Sequence, residues 1–283
     1  MEERGDNIMH HLLFISTALI LTFILLAVVI LIFGGFALFF FVKYKHYKRK
    51  MVYFISMVSH DLKSPIHGIR GYVTLSKLQF EHKDKVDEYL KTINNLSEHM
   101  EELINDLLDY SKIEKDKLEL NRKPIQLGQL LDKCVLHIEP FVKLYDITFI
   151  KDFHVEHPLV LVDDLRLSQI LINLLNNAVK YTKNMGKIIF AVTEQQINED
   201  KSKYTFCIKD SGIGMSEEVL KHLYEPFASG KTNLHSELKS TGLGLFLVKE
   251  MVNLLQGEIS MQSEEGKGSV FTISFVLDFC NEK

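Results

Sequence analysis

Two groups of residues in this chain have the types and spacing that chemistry needs. The first is His60 with Asp61 directly after it. A carboxylate beside an imidazole holds the proton on one ring nitrogen and leaves the other free to act as a nucleophile. Ser64 and His67 follow at i+4 and i+7, so all three share one side of a helix. Pro65 loosens the helical hydrogen bonding next to them. A plain surface histidine is the competing reading, and spacing alone leaves it open.

The second group is spread over the C-terminal half. Asn173 and Asn177 stand four apart, with Lys180 and Tyr181 one turn further on. Carboxamide oxygens suit a hard cation such as Mg²⁺, and an ammonium suits the phosphates that such a cation accompanies. A helix that merely has a polar face reads the same way. Two glycine pairs add to the pattern: Gly212 and Gly214 in DSGIGM, and Gly242 and Gly244 in STGLGL. Glycine lets backbone approach a phosphate closely, and a helix N-terminus beyond it favours negative charge. Neither pair has the GxGxxG spacing of a dinucleotide site. Gly230-Lys231-Thr232 imitates the end of a P-loop, but Glu225 stands where that loop needs its first glycine.

These residues need elements to hold them. The apolar residues Val86, Tyr89, Ile93, Leu96, Met100, Leu103, Leu107 and Tyr110 recur at alternating steps of three and four. That is a heptad seam. Met51, Ile55, Val58, Leu62, Ile66, Ile69 and Val73 repeat it less strictly, and the polar EHKDK separates the two runs. The pattern predicts an antiparallel helical hairpin. Its apolar stripe is too broad for two helices, so a dimeric four-helix bundle is expected. A monomeric hairpin packed on the rest of the chain is the alternative. Leu167, Ile170, Leu171, Leu174, Leu175 and Ala178 predict an amphipathic helix over 163–182. Six strand-like segments (YDITFIKD, LVLVD, KIIFAVTEQQ, KYTFCIKD, GEISMQS and GSVFTISFVLD) predict a sheet with helices on one face.

With these residues in place, FISMVSHDLKSPIHGI at residues 54–69 resembles the H-box of bacterial two-component sensor histidine kinases. NLLNNAVKYT, DSGIGM, YEPF and STGLGLFLVK, in that order, resemble the N, G1, F and G2 boxes of the same family's ATP-binding domain. The resemblance spans residues 54 to about 278. It implies ATP and Mg²⁺ as cofactors, His60 as phospho-acceptor and Asp61 as the base that polarises it. It implies Asn177 as the Mg²⁺ ligand, Asn173 and Lys180 near the phosphates, and Tyr181 beside them. It sets Asp210 on the adenine amino group, Gly212 and Gly214 at the base pocket, and Gly242 and Gly244 on the phosphates in a lid over 228–241. The implied C-terminal fold is a Bergerat-type α/β sandwich, and the implied partner is a separate response regulator whose aspartate receives the phosphoryl group. Two positions depart from the family: Ser64 stands where threonine or asparagine serves dephosphorylation of the partner, and Ser240 replaces the first G2 glycine. Related gyrase-, Hsp90- and MutL-type ATPases carry a glutamate at the position of Asn173. An amide is no general base, so hydrolysis is disfavoured and transfer to His60 favoured. A degenerate, non-catalytic scaffold is the third reading.

Composition frames the rest. The chain has 283 residues and a net charge of −4, with no nucleic-acid footprint. Cys134, Cys207 and Cys280 form no CxxC pair and read as packed thiols. His154 and His157 lack the further ligands a zinc site needs. Residues 12–42 carry no charge and no proline. As a helix they reach ~46 Å, more than the ~30 Å a bilayer core requires. Lys43, Lys45, Lys48, Arg49 and Lys50 follow, which places the C-terminal side in the cytoplasm. The expected domains are a short extracytoplasmic segment (1–11), one transmembrane helix (12–42), a basic juxtamembrane linker (43–53), a dimerisation and phosphotransfer domain (54–117) and an ATP-binding domain (118–283). The expected location is the plasma or inner membrane, single-pass, N-terminus out. Val42 to His60 holds neither proline nor glycine, so a continuous helix is expected to connect bilayer and hairpin.

Overall fold

The computed structural model describes residues 25–26, 30–45, 48, 58–59, 62–80, 82–113, 115, 117–226 and 242–279. His60 and Asp61, much of the apolar segment, most of the basic linker, the lid segment with Ser240, and Cys280 lie outside the described residues. Contacts divide the chain into two units, Met1–His60 and Asp61–Lys283. In the first, residues 30–45 are helical, and Leu31, Phe33, Phe36, Phe39 and Phe41 are exposed. Among the described residues, no helix is long and apolar enough to cross a membrane.

The second unit opens with the hairpin. Helix α1 covers residues 62–78, and α2 is Lys83–Ile113. They run antiparallel: Tyr72 meets Tyr89 with ring centroids 5.7 Å apart, and Gly68 faces Leu96. A Cβ on Gly68 would lie 2.9 Å from Leu96 Cδ1, so the glycine sets how closely the helices approach. Every residue of the heptad seam on α2 is buried or half-buried. Beside it runs a second apolar stripe that the hairpin leaves open: Leu90, Ile104 and Leu108 on α2, with Ile66 and Val73 on α1, all exposed.

Strand β1 (Lys123–Gln126) leads into helix α3 (Leu127–Leu144), followed by β2 (Thr148–His154) and β3 (Leu159–Val162). Helix α4 (Asp164–Tyr181), β4 (Lys187–Gln196), β5 (Lys201–Asp210), the short α5 (Glu217–Lys221), α6 (Gly244–Leu254), β6 (Glu258–Glu264) and β7 (Gly268–Asp278) complete the order. Five strands form one sheet in the order β2-β4-β5-β7-β6, antiparallel except for β2 against β4. Strict alternation puts Ile188, Phe190, Val192, Tyr204, Phe206, Ile208, Phe271, Ile273 and Phe275 on one buried face. Helices α3, α4 and α6 supply the apolar residues buried with them, which makes the expected two-layer α/β sandwich.

Two elements differ from the sequence reading. LVLVD does not join the main sheet: β3 pairs with β1 in a separate two-stranded sheet. Four residues suffice there, because Val160 and Val162 are fully covered and Val160 also bridges Phe279. Helix α3 was not anticipated, although Leu127, Leu130, Leu131, Cys134, Val135 and Ile138 have helical spacing and are all buried. Pro140 lies inside this helix and removes one backbone donor near its C-terminal end.

Candidate functional site

Helix α4 carries the centre of the site. Asp163 caps it, accepting from the N–H of Arg166 at 3.0 Å, and satisfies an otherwise orphan helix donor. The apolar side (Leu167, Ile170, Leu171, Leu174, Leu175, Ala178) is buried against sheet and neighbouring helices. That orientation leaves Asn173 and Asn177, one turn apart, half-buried on another face.

Lys180 is the least expected group electrostatically. It is only 3% exposed, and among the described residues its Nζ is buried without a hydrogen-bond partner. Its charge faces the ring of Tyr181, 5.2 Å away. Burial pushes the Lys180 ammonium down to about 8. A buried, unpaired cation is costly, so its retention points to an anionic ligand.

Asp210 ends β5 and is buried. Burial pushes its carboxyl above the usual carboxylate range, while the N–H groups of Gly212 and Ser269 donate to Oδ1 at 2.8 and 3.2 Å and pull the other way. The loop after it is fixed from both sides. A Cβ on Gly212 would strike the Tyr181 carbonyl, which also accepts from the Ile213 N–H at 3.1 Å. Gly214 has φ +65° and lies against the Glu264 carbonyl, so only glycine fits there. Gly242 likewise has positive φ, +68°, and Gly244 starts α6. A Cβ on Gly244 would be 3.1 Å from Asn173 Oδ1, which brings the second glycine pair onto the asparagine face of α4.

The structure thus brings Gly212, and with it Asp210, to the C-terminal end of α4 at Tyr181 and Gly244 to Asn173, while Asn177 and Lys180 lie between them along the helix and Gly214 lies against the end of β6. Ser64 stands on α1, half-buried, in the hairpin. His154 pairs with Asp152 at 2.9 Å and His157 with Glu194 at 2.6 Å, and the described residues contain no cluster of three or more metal-ligating side chains. Four contributors escaped the sequence reading. Ser269 and Gly268 hold Asp210: Gly268 has φ +101°, and a Cβ there would strike the Asp210 carbonyl. Arg166 and Gln169 lie on the Asn173 side of α4 and both bond Asp109 of α2. The Gly266-Lys267-Gly268 turn before β7 is a signal that could have found the first two.

The residues fit a Mg²⁺–nucleotide: two carboxamides for the cation, an orphan ammonium for phosphate and glycines where a Cβ would fill the cradle. Comparison with known proteins supports the nucleotide part of this fit. Residues 162–278 match the family described as Histidine kinase-, DNA gyrase B-, and HSP90-like ATPase, and residues 50–116 match the His Kinase A (phospho-acceptor) domain. The sensor histidine kinase GacS of Pseudomonas protegens is 34% identical over 225 residues, 79% of this chain and 24% of the relative. The sensor histidine kinase WalK of Bacillus subtilis is 31% identical over 231 residues, 81% of this chain and 37% of the relative. The chain therefore spans well under half the length of these curated relatives. The solved histidine kinase AdeS of Acinetobacter baumannii shares the fold, with TM-score 0.54 and 24% identity over 78% of this chain and 98% of that one.

Proposed function

The chain belongs to the two-component sensor histidine kinases, and from that premise we propose that it is a membrane-anchored protein-histidine kinase. It transfers the terminal phosphoryl group of ATP to His60 and then to an aspartate of a separate response regulator. The observation that carries this reading is the convergence on α4. The buried, unpaired Lys180 ammonium stands in line with Asn177 and Asn173, and both glycine loops press against the same helix.

In this reading Asp210 accepts from the adenine amino group, with its Oδ1 held still by Gly212 and Ser269. Lys180 and the backbone at Gly242 and Gly244 meet the phosphates. Asn177, with Asn173 beside it, would hold Mg²⁺, which when bound offsets the charge of the triphosphate. Asp61 orients the His60 imidazole, whose free nitrogen attacks the terminal phosphorus. The P–N bond forms as the bond to the ADP oxygen breaks. Asn173 offers no base to activate water, which favours transfer over hydrolysis.

The open stripe of Leu90, Ile104, Leu108, Ile66 and Val73 supports a homodimer in which two hairpins cover it as a four-helix bundle. The uncharged run over 12–42 and the basic residues after it support a single bilayer anchor, N-terminus out, with hairpin (54–117) and ATP-binding domain (118–283) in the cytoplasm. Incubation with labelled ATP tests the whole. Acid-labile, alkali-stable label on the protein is the expected result, and release of free phosphate alone would make the chain an ATPase instead.

Asp61 and Ser64 have separable roles. Asp61→Asn keeps the size but removes the orienting charge, so autophosphorylation falls on the order of 10²–10⁴-fold. Ser64→Ala leaves autophosphorylation nearly intact and slows dephosphorylation of the regulator. Equal damage to both reactions would assign Ser64 a packing role.

Lys180 gives the site a pH signature. Its folded value near 8 lies below the ordinary lysine value. The charged form therefore burdens the nucleotide-free protein below about pH 8, and that burden is relieved as pH rises toward the unfolded value of about 10.4. Phosphate stabilises the charged form, so above about pH 8 binding must take up a proton and weakens as pH rises. Titration calorimetry of ATP binding between about pH 7 and about pH 9 should show this loss. Lys180→Gln should flatten it, and an equal slope in that variant would remove Lys180 from the phosphate site.

A further inference from the structure

One turn of the nucleotide module holds apolar and basic side chains out together. Between α4 and β4 the chain reads Lys183-Asn184-Met185-Gly186-Lys187. Met185 is 82% exposed and has φ +62°, a left-handed conformation that residues with a side chain seldom adopt. The turn is pinned. The Gly186 N–H donates to the Lys183 carbonyl at 2.9 Å, the Met185 N–H to the Tyr145 carbonyl at 3.2 Å, and the Thr148 N–H to the Gly186 carbonyl at 2.8 Å. The Lys187 N–H donates to Ser211 Oγ at 2.8 Å, and a Cβ on Gly186 would strike Thr182 Cγ2. The bonds to Tyr145 and Thr148 bring the α3–β2 corner alongside, where Leu144 is 62% exposed. A fixed backbone therefore holds two apolar side chains in water.

Basic residues surround them. Lys183 and Lys187 flank Met185, and both are exposed. Lys209 of β5 pairs in register with Ile189, two residues beyond Lys187. Ile188 and Ile208 point into the core, so Lys187 and Lys209 share the outer face of the sheet. Among the described residues, none of these three lysines makes an ion pair. Asp146 is the exposed acid of the α3–β2 corner, which leaves the patch net positive. Glu264 and Glu265 stand beyond β7 at the β6–β7 turn, where Glu264 pairs with Lys267 at 2.6 Å.

Apolar tips among unpaired lysines fit the surface of an acidic bilayer. Methionine and leucine enter the boundary between headgroups and acyl chains, and the ammonium groups meet the lipid charge above it. A protruding turn gives a protein partner no groove to fill. The chain also keeps such a surface close. Gly68 faces Leu96, and α2 continues 17 residues past Leu96 to Ile113, while α1 begins only six before Gly68, at Leu62. The nucleotide module thus hangs at the end of the hairpin through which the chain enters. Twenty residues separate Leu62 from Val42, the end of the uncharged run. They span at most ~70 Å, and within so short a tether even a weak surface contact is populated.

We propose that the Lys183–Lys187 turn, with Leu144 and Lys209, is a contact surface for acidic lipid of the cytoplasmic leaflet. The inference rests on the single-anchor reading above. The turn continues from Tyr181 and is bonded to Ser211, next to Asp210, so docking it sets which way the base pocket faces.

The chain contains no tryptophan, so Met185→Trp places a single fluorophore at the contact. The full chain is reconstituted in vesicles of brominated phosphatidylcholine, alone or with phosphatidylserine. Blue-shifted, quenched emission is expected in the acidic vesicles and water-exposed emission in the neutral ones. Adding Lys183→Glu and Lys187→Glu should lower the docked-to-free ratio at least ~25-fold, about fivefold for each basic charge lost at the surface. Raised salt should lower it too, with the lysines intact. In a second chain, Ile197→Trp puts the fluorophore at the exposed β4–β5 turn, the opposite end of β4, and it should stay unquenched. Equal quenching at the two positions, equal quenching in neutral vesicles, or quenching unmoved by charge reversal and by salt overturns the proposal. A blue shift without quenching by the brominated lipid also overturns it, because protein then covers the turn. Loss of the chain from the vesicles in an alkaline wash would instead reject the anchor reading, and this contact with it.

Discussion

His60→Gln removes all acid-labile label from the protein while ATP binding survives. Glutamine approximates the length of histidine and keeps helix propensity, so the hairpin is retained. What it lacks is a ring nitrogen with a free lone pair of sufficient basicity to attack phosphorus. Three other histidines lack this setting. His67 is exposed on α1 without an adjacent carboxylate in sequence, and His154 and His157 are engaged by Asp152 and Glu194. The residues that would bind the nucleotide sit around α4, away from position 60 in sequence, so affinity should stay within about twofold, the scatter of surface substitutions. Labelled ATP with acid and alkali treatment reads the first effect, and calorimetry reads the second. Label retained in the variant would move the acceptor elsewhere.

Asn177→Ala should abolish Mg²⁺-dependent transfer, a loss of at least ~10²-fold, as when one preorganised electrostatic group is removed from a phosphoryl-transfer site. Asn177 is half-buried on the face of α4 that also presents Asn173 and Lys180. Alanine is a better helix former than asparagine, so α4 should not suffer, and the variant isolates the lost carboxamide. Without it the triphosphate charge is uncompensated next to a buried lysine that supplies only one positive charge. Transfer rates with and without Mg²⁺, measured against circular dichroism for fold, check the claim. Wild-type transfer by this variant would show that the metal is held by other groups.

Local pattern was enough for much of this protein. The heptad of α2 reads directly as a seam, and each seam residue is covered. The apolar stripe of α4 and the alternation in β4 and β7 do likewise, because burial on one face imposes a period that survives in any context. The asparagines, Lys180, Asp210 and the four glycines stood out through the order of the motifs that contain them, since spacing alone left a plain polar helix face open. That Lys180 is buried with its Nζ unpaired was not legible, since a lysine on a helix normally snorkels to water. Nor was the transfer of LVLVD to a second sheet, because a four-residue apolar strand carries no label naming its partner. Gly268 and Ser269 lie nearly sixty residues from the Asp210 they support. Asp109 and Arg166 are likewise fifty-seven apart. In sequence each is an ordinary charge on a helix. Only the packing of α2 against α4 and α6 excludes water from them, and exclusion of water turns two solvated side chains into a buried ion pair.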